Sequence, residues 1–149
     1  DSVEPWVHRS IQQQWSHGKA AREALAVIPA DASVSANTPL VPLLAQRNVL
    51  VRFPYGSAYL NREGQAESVD WVAVDLEMLE RYGVAFRSDW RQLRQSRRWL
   101  LEHRDSYAAR ALNDGVVVVE RSQDTTPALE RALDQYLQRP MPMDPRQVQ

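Results

Sequence analysis

The chain is organised around the stretch Ile28-Pro29-Ala30-Asp31-Ala32-Ser33-Val34-Ser35-Ala36-Asn37-Thr38-Pro39. It reads as a helix end, a tight turn, a short buried strand and an abrupt helix start. Pro29 cannot continue a helix, Asn37 or Thr38 is placed to cap the next one, and Pro39 sits in a first turn where its missing N–H costs nothing. A strand running straight into a helix is the first joint of an α/β domain. Open sheets bind ligands at such carboxyl ends.

Downstream of it, Pro39 to Gln46 reads as a short helix and Asn48-Val49-Leu50-Val51-Arg52-Phe53 as a strand closed by Pro54-Tyr55-Gly56. Residues 55 to 69 are polar with scattered glycine and read as a loop. Val69-Asp70-Trp71-Val72-Ala73-Val74-Asp75-Leu76 is nearly all apolar, as in a strand covered on both faces. Leu76 to Tyr82 gives one or two helical turns ended by Gly83. Ser88-Asp89 is expected to cap a longer helix, about Trp90 to Arg104, with Trp90, Leu93, Leu100 and Leu101 inward. Ser106 to Leu112 and Val116 to Arg121 flank Asn113-Asp114-Gly115, a hairpin turn whose residues tolerate positive φ. Thr126-Pro127 opens a last helix to about Leu137.

Before the opening stretch, Val7, Ile11 and Trp15 recur every fourth position as a helical stripe; the tryptophans there, Trp6 and Trp15, are expected in the core, the alternative being packing against a missing neighbour. His17-Gly18 is expected to weaken or end that helix, and Arg22 to Ile28 to form the next. The order α-β-α-β-β-α-β-β-α predicts an α/β fold: a Rossmann-like mixed sheet of about five strands flanked by helices, ending in an antiparallel hairpin. The strand at Val34 is expected at its centre. The reading divides the chain into an N-terminal helical segment (1–21), a single α/β domain (22–139) and a disordered tail (140–149).

Size and composition suit one compact domain. The chain has 149 residues, 44% hydrophobic and 25% charged, enough to bury roughly 70% of its unfolded surface. It has no cysteine, which excludes disulfides, thiolate zinc sites and cysteine nucleophiles. No apolar run approaches the roughly 20 residues needed to span a bilayer, and the polar start shows no signal peptide. The net charge of −1 gives no overall polyanion bias, yet eight arginines fall between Arg81 and Arg110 against only Asp89, Glu102 and Asp105.

The run Leu25-Ala26-Val27-Ile28-Pro29-Ala30-Asp31-Ala32-Ser33-Val34-Ser35-Ala36-Asn37 resembles a recurring segment of the domain-of-unknown-function family 2079, large multi-pass bacterial membrane proteins. Leu43-Leu44-Ala45-Gln46-Arg47, the strand from Leu50 ending in Phe53-Pro54, Asp70-Trp71-Val72-Ala73-Val74-Asp75-Leu76 and the hairpin through Asn113-Asp114-Gly115 match in order and spacing. The resemblance covers roughly residues 22 to 122. It implies a C-terminal domain following a bundle of transmembrane helices, in a parent similar to the GT-C glycosyltransferases that use polyprenyl-phosphate sugars. The catalytic carboxylates of that class lie on loops of the membrane part. The resemblance therefore supplies no catalytic residue here, and it implies an extracytoplasmic, periplasmic setting.

If the predicted strands are parallel neighbours, Asn37, Thr38, Arg52, Tyr55 and Asp75 converge on one crevice, where amide, carboxylate, phenol and guanidinium groups suit a small molecule or sugar phosphate. The competing reading makes Asn37, Thr38 and Asp75 helix caps and Arg52 a solvated edge residue. No glycine falls between Gly18 and Gly56, so a phosphate-cradling turn is disfavoured and no cofactor is expected. His8, His17 and His103 lack a carboxylate or second histidine at i+3 or i+4, so no metal site is expected and each reads as a surface residue. The serines lack a nucleophile elbow. Asp75 and Glu77 form a carboxylate pair explained by a helix start. Arg91, Arg94 and Arg98 share one helix face, suited to anionic headgroups or to the membrane part of the same protein; nucleic acid is not expected, since no aromatic-and-basic groove accompanies them.

These readings combine into a non-catalytic accessory domain of a GT-C-like membrane protein. The alternative is a small-molecule or sugar-phosphate binding module using the strand-end crevice.

Overall fold

The computed structural model describes residues 10–147. Helix α1 spans Ile11–Leu25 and opens on a capping box: the Ser10 side chain accepts from the Gln13 N–H, and the Gln13 side chain accepts from the Ser10 N–H. The helix passes unbroken through His17-Gly18, and through residue 21. One glycine costs a helix about 1 kcal/mol, less than the burial of Ala21, Ala24 and Leu25 on the sheet returns. Trp15, expected in the core, is instead 66% exposed, and Ile11 on the same face is 86% exposed. Trp6, Val7 and His8 lie outside the described residues.

Strand β1 (Val34–Ala36) leads into a 3-10 helix, Thr38–Leu44. A 3-10 turn suits a segment with Pro39 and Pro42, which lack the amide donors of a regular helix. Strand β2 (Leu50–Arg52) follows. The expected loop at 55–69 contains a small antiparallel hairpin, β3 (Ala58–Leu60) with β4 (Ala66–Ser68). Asn61 makes its turn, its Oδ1 accepting from the N–H groups of Glu63 and Gln65 at 3.0 and 2.9 Å. Strand β5 (Trp71–Asp75) is buried throughout. Helices α2 (Leu76–Gly83) and α3 (Arg87–Glu102) come next, then strands β6 (Tyr107–Asn113) and β7 (Val116–Arg121), and helix α4 (Pro127–Leu137).

The five-stranded sheet has the order β2-β1-β5-β7-β6. Strands β2, β1 and β5 are parallel, and β7 runs antiparallel between β5 and β6. The fold is thus a mixed α/β sheet between helices, with the expected antiparallel hairpin. Its centre is β5, not β1, because β7 turns back to pair along the whole of β5. Alternation along β5 and β7 sorts the core into two layers. Val72, Val74, Val117 and Val119 face Leu76, Leu79, Leu93, Leu100, Leu133 and Leu137 of α2, α3 and α4. Trp71, Ala73, Val116 and Val118 face Ala21, Ala24 and Leu25 of α1 and Leu40 and Leu44 of the 3-10 helix.

Helix α3 begins one residue before Ser88, after Phe86, with no side-chain cap from Ser88 or Asp89. Leu93 and Leu100 point inward as expected, whereas Leu101 is 53% exposed. His103 stacks on Trp99 at 4.1 Å and its Nδ1 meets the Trp99 carbonyl, so it is half-buried rather than a surface residue. Beyond Pro140 the chain runs back along α3. The Trp90 indole donates to the Pro142 carbonyl at 2.7 Å, and Arg87 pairs with Asp144 at 3.3 Å. The tail expected to be disordered is therefore held as far as Gln147 by an indole and a guanidinium that α3 supplies.

Candidate functional site

The carboxyl end of β5 gathers ionic groups from three separate elements. Asp75 ends the strand and caps α2, its Oδ1 accepting the Met78 N–H at 3.0 Å. Its other oxygen, Oδ2, lies 2.6 Å from Nε2 of His17 on α1. The opposite ring nitrogen, Nδ1, is 2.7 Å from Oδ2 of Asp114 in the β6–β7 turn. Glu77, in the first turn of α2, brings Oε2 to 3.8 Å from His17 Nε2, while its Oε1 accepts from Arg81 at 2.9 Å.

His17 is 4% and Asp75 1% exposed, so the histidine expected at the surface is instead sunk between carboxylates. A carboxylate only accepts, so both ring contacts are hydrogen bonds when the imidazole carries two protons. Burial of such a pair is tolerable because each charge has its counterpart and a further hydrogen bond.

The surroundings fix the geometry. Asn37 is fully buried, and its Oδ1 accepts the Asp75 N–H at 3.0 Å; its Nδ2 makes a long 3.5 Å contact with the Asp75 carbonyl. Asn37 therefore ties the ends of β1 and β5 together and makes no side-chain cap for the 3-10 helix, contrary to the capping expectation. On the other side the turn adopts positive φ at Asp114 (46°) and Gly115 (78°). This brings the Gly115 carbonyl to the Leu76 N–H at 2.9 Å.

Two hollows flank the cluster. One, of about 360 Å³, is lined by His17, Ala21, Leu40, Asp75, Arg81 and Tyr82 among others. A more polar one, of about 520 Å³, is bounded by Ser10, Gln13, Ser16, Glu77, Arg81 and Asp114.

The five residues expected to share one crevice fall into separate places. Asn37 and Asp75 are joined and buried. Thr38 and Arg52 form an exposed pair, the guanidinium donating to Thr38 Oγ1 at 3.0 Å. Tyr55 is 67% exposed and hydrogen-bonds to neither pair. Asn37 and Asp75 are among the expected site residues; His17 is expected at the surface, Glu77 as a helix-start acid and Asp114 as a turn residue, and Arg81 is given no site role.

Tyr136 of α4 borders this region. Burial, and secondarily the charge of Glu80, push its phenol from 10 up to about 12. Its hydroxyl is buried without a hydrogen-bond partner among the described residues. Because folding disfavours the phenolate, this group takes no stability from the native state below pH 10 and destabilises it increasingly as pH climbs from 10 towards about 12. Phenolate absorbance should therefore show one tyrosine titrating near 12, lost in Tyr136→Phe. That variant should unfold less steeply over the same alkaline window and be neutral to about 1 kcal/mol more stable at pH 7.

Fold and cluster define a mixed α/β domain with a histidine–carboxylate network at the carboxyl edge of its sheet. A family model described as "Predicted membrane protein (DUF2079)" matches residues 1–118, and the chain belongs to that family. The match takes in every member of the cluster and reaches back through α1, beyond the segments that carry the resemblance. No curated protein and no solved structure matches the chain. Among the described residues, no helix is long and apolar enough to cross a membrane.

Proposed function

We propose that the chain is a non-catalytic, extramembrane accessory domain of a GT-C-like multi-pass membrane protein, resting on anionic headgroups beside that membrane part. The observation that carries this reading is the outer face of α3. Arg91, Arg94 and Arg98 are all exposed, and among the described residues none of them is in an ion pair. Arg94 rests on the Trp90 ring at 5.7 Å. Exposed Leu101 continues the same face, beside a groove of about 430 Å³ shared with Arg94 and Arg98. Local ion pairing, the ordinary use of a charged helix face, does not account for these three arginines. A basic row edged by an apolar side chain fits an anionic interface, at about 1 kcal/mol per arginine. The implied parent would carry the domain on the extracytoplasmic side, near its polyprenyl-phosphate sugar.

Co-sedimentation with phosphatidylglycerol vesicles should exceed that with phosphatidylcholine vesicles. Replacing Arg91, Arg94 and Arg98 together by Gln should weaken the anionic binding about 100-fold. Thermal stability should change little, because the side chains are exposed. Anionic binding that survives the triple substitution, or turnover of a substrate by this chain alone, refutes the reading.

The alternative, a sugar-phosphate module, draws support from the 360 Å³ hollow with Arg81 and Tyr82 on its wall. Titration with sugar phosphates should then shift the amide resonances of those two residues, and flat spectra remove it.

A further inference from the structure

We propose that His17, Asp75 and Glu77 form a binding site for one divalent transition-metal cation, with zinc the best-matched ion. The helix start explains two carboxylates near the N-terminus of α2. It does not explain why α1 delivers a buried imidazole onto them from 58 residues away. One donor atom from each of the three residues lies within 4.8 Å of the others. An imidazole with two carboxylates is a borderline donor set, suited to zinc and its first-row neighbours rather than to magnesium or calcium, which take oxygen alone.

Independent features orient each donor. Asp114 holds Nδ1 of His17 at 2.7 Å, the carboxylate–histidine arrangement that turns the other nitrogen towards a metal and raises its basicity. The Met78 N–H holds Oδ1 of Asp75 and so presents Oδ2 to the ring. Arg81 holds Oε1 of Glu77, on the side away from the 3.8 Å approach of Oε2 to Nε2.

Loading exchanges the proton on Nε2 for the cation. Donors about 2.0–2.1 Å from a tetrahedral ion stand about 3.3 Å apart. The Nε2–Oδ2 contact of 2.6 Å therefore has to open by under an ångström, and the Nε2–Oε2 distance of 3.8 Å to close by less. Three protein ligands leave a fourth position beside the flanking hollows, open to water or to an anionic ligand. The site owes nothing to the arginine face of α3 and stands or falls apart from it.

The test is calorimetric titration of the full 149-residue chain with ZnCl2 in a non-chelating buffer. The expected result is saturable one-site binding below about 10 µM, not competed by MgCl2. In parallel, 15N spectra of the His17 ring should show Nε2 shifting while the Nδ1 proton persists. Glu77→Gln keeps the side-chain size and an oxygen for Arg81, and should weaken binding by about tenfold or more. Asp114→Asn, at an exposed turn position, should weaken it by about tenfold through the ring's orientation. Melting of both variants without zinc separates lost binding from lost folding, and the Asp114 variant decides if the Glu77 variant does not fold. Absence of saturation at millimolar zinc overturns the proposal. So does an unshifted His17 ring, or an affinity unchanged in both variants, which would place zinc elsewhere.

Discussion

Gly115→Ala should cost about 3–5 kcal/mol of stability, read as a lower denaturant midpoint with the slope unchanged. Two effects add. Gly115 sits at φ 78°, where a side chain costs about 1–2 kcal/mol. A Cβ built there would lie 2.5 Å from Glu77 Cβ, 2.7 Å from the Tyr136 hydroxyl and 3.0 Å from the Glu77 amide nitrogen. The Tyr136 ring can swing aside, but the Glu77 contacts belong to the first turn of α2, which its cap on Asp75 holds in place. Relief therefore requires the hairpin to lift off α2, which breaks the Gly115 carbonyl to Leu76 N–H bond at 2.9 Å. Lifting the turn also withdraws Asp114 from His17. The 15N signal of the His17 Nδ1 proton should therefore change in this variant, although His17 itself is untouched. A loss below about 1 kcal/mol would mean that the turn does not press on α2 in solution.

What the sequence disclosed and what it hid divide along one physical line. Segments whose structure is dictated by their own residues were legible. The apolar run into Asp75, the Asn113-Asp114-Gly115 turn and the proline-opened α4 all carry their signal within a few positions. Strands β3 and β4 carry almost none: three residues each, largely exposed, with alternation too short to register. The readable cue there was the turn chemistry of Asn61 and Gly64, which outweighs the polar composition. Gly18 looked like a helix end because intrinsic propensity was read without the sheet that α1 packs against. Trp15 looked like core because its spacing matched a stripe, yet the stripe that packs is Ala21, Ala24 and Leu25.

The site was hidden for a stronger reason. Asp75 could be named because strand ends in open sheets are general binding positions. His17 could not, because its partners lie 58 and 97 residues along the chain. No spacing rule for metal ligands or ion pairs looks that far. A single local hint remained: Asp75-Leu76-Glu77 places two acids at a helix start, where one cap suffices. An acid beyond what capping needs invites a search for a distant base.

Removal of Asp75 should be the most damaging change within the cluster. Asp75→Ala deprives the Met78 N–H of its cap, worth about 1 kcal/mol. It also strips the buried His17 Nε2 of its 2.6 Å partner, leaving Asp114 at 2.7 Å and Glu77 only at 3.8 Å, and breaking a buried ion pair in this way costs about 3–5 kcal/mol. A total near 5 kcal/mol approaches the whole stability of a domain this size, so the variant should melt far below the parent or purify unfolded. Asp75→Asn keeps the shape and the oxygen that accepts from Met78, so it should spare the cap and lose about 1 kcal/mol less than Asp75→Ala. The decisive measurement is the cycle with His17→Ala. Once either partner is gone, removing the other no longer strands a buried charge, so the double variant should lose less than the sum of the singles by about 1–3 kcal/mol. Strict additivity would show that the 2.6 Å contact does no energetic work, and that His17 is held in place by Asp114, Glu77 and the walls of the cavity.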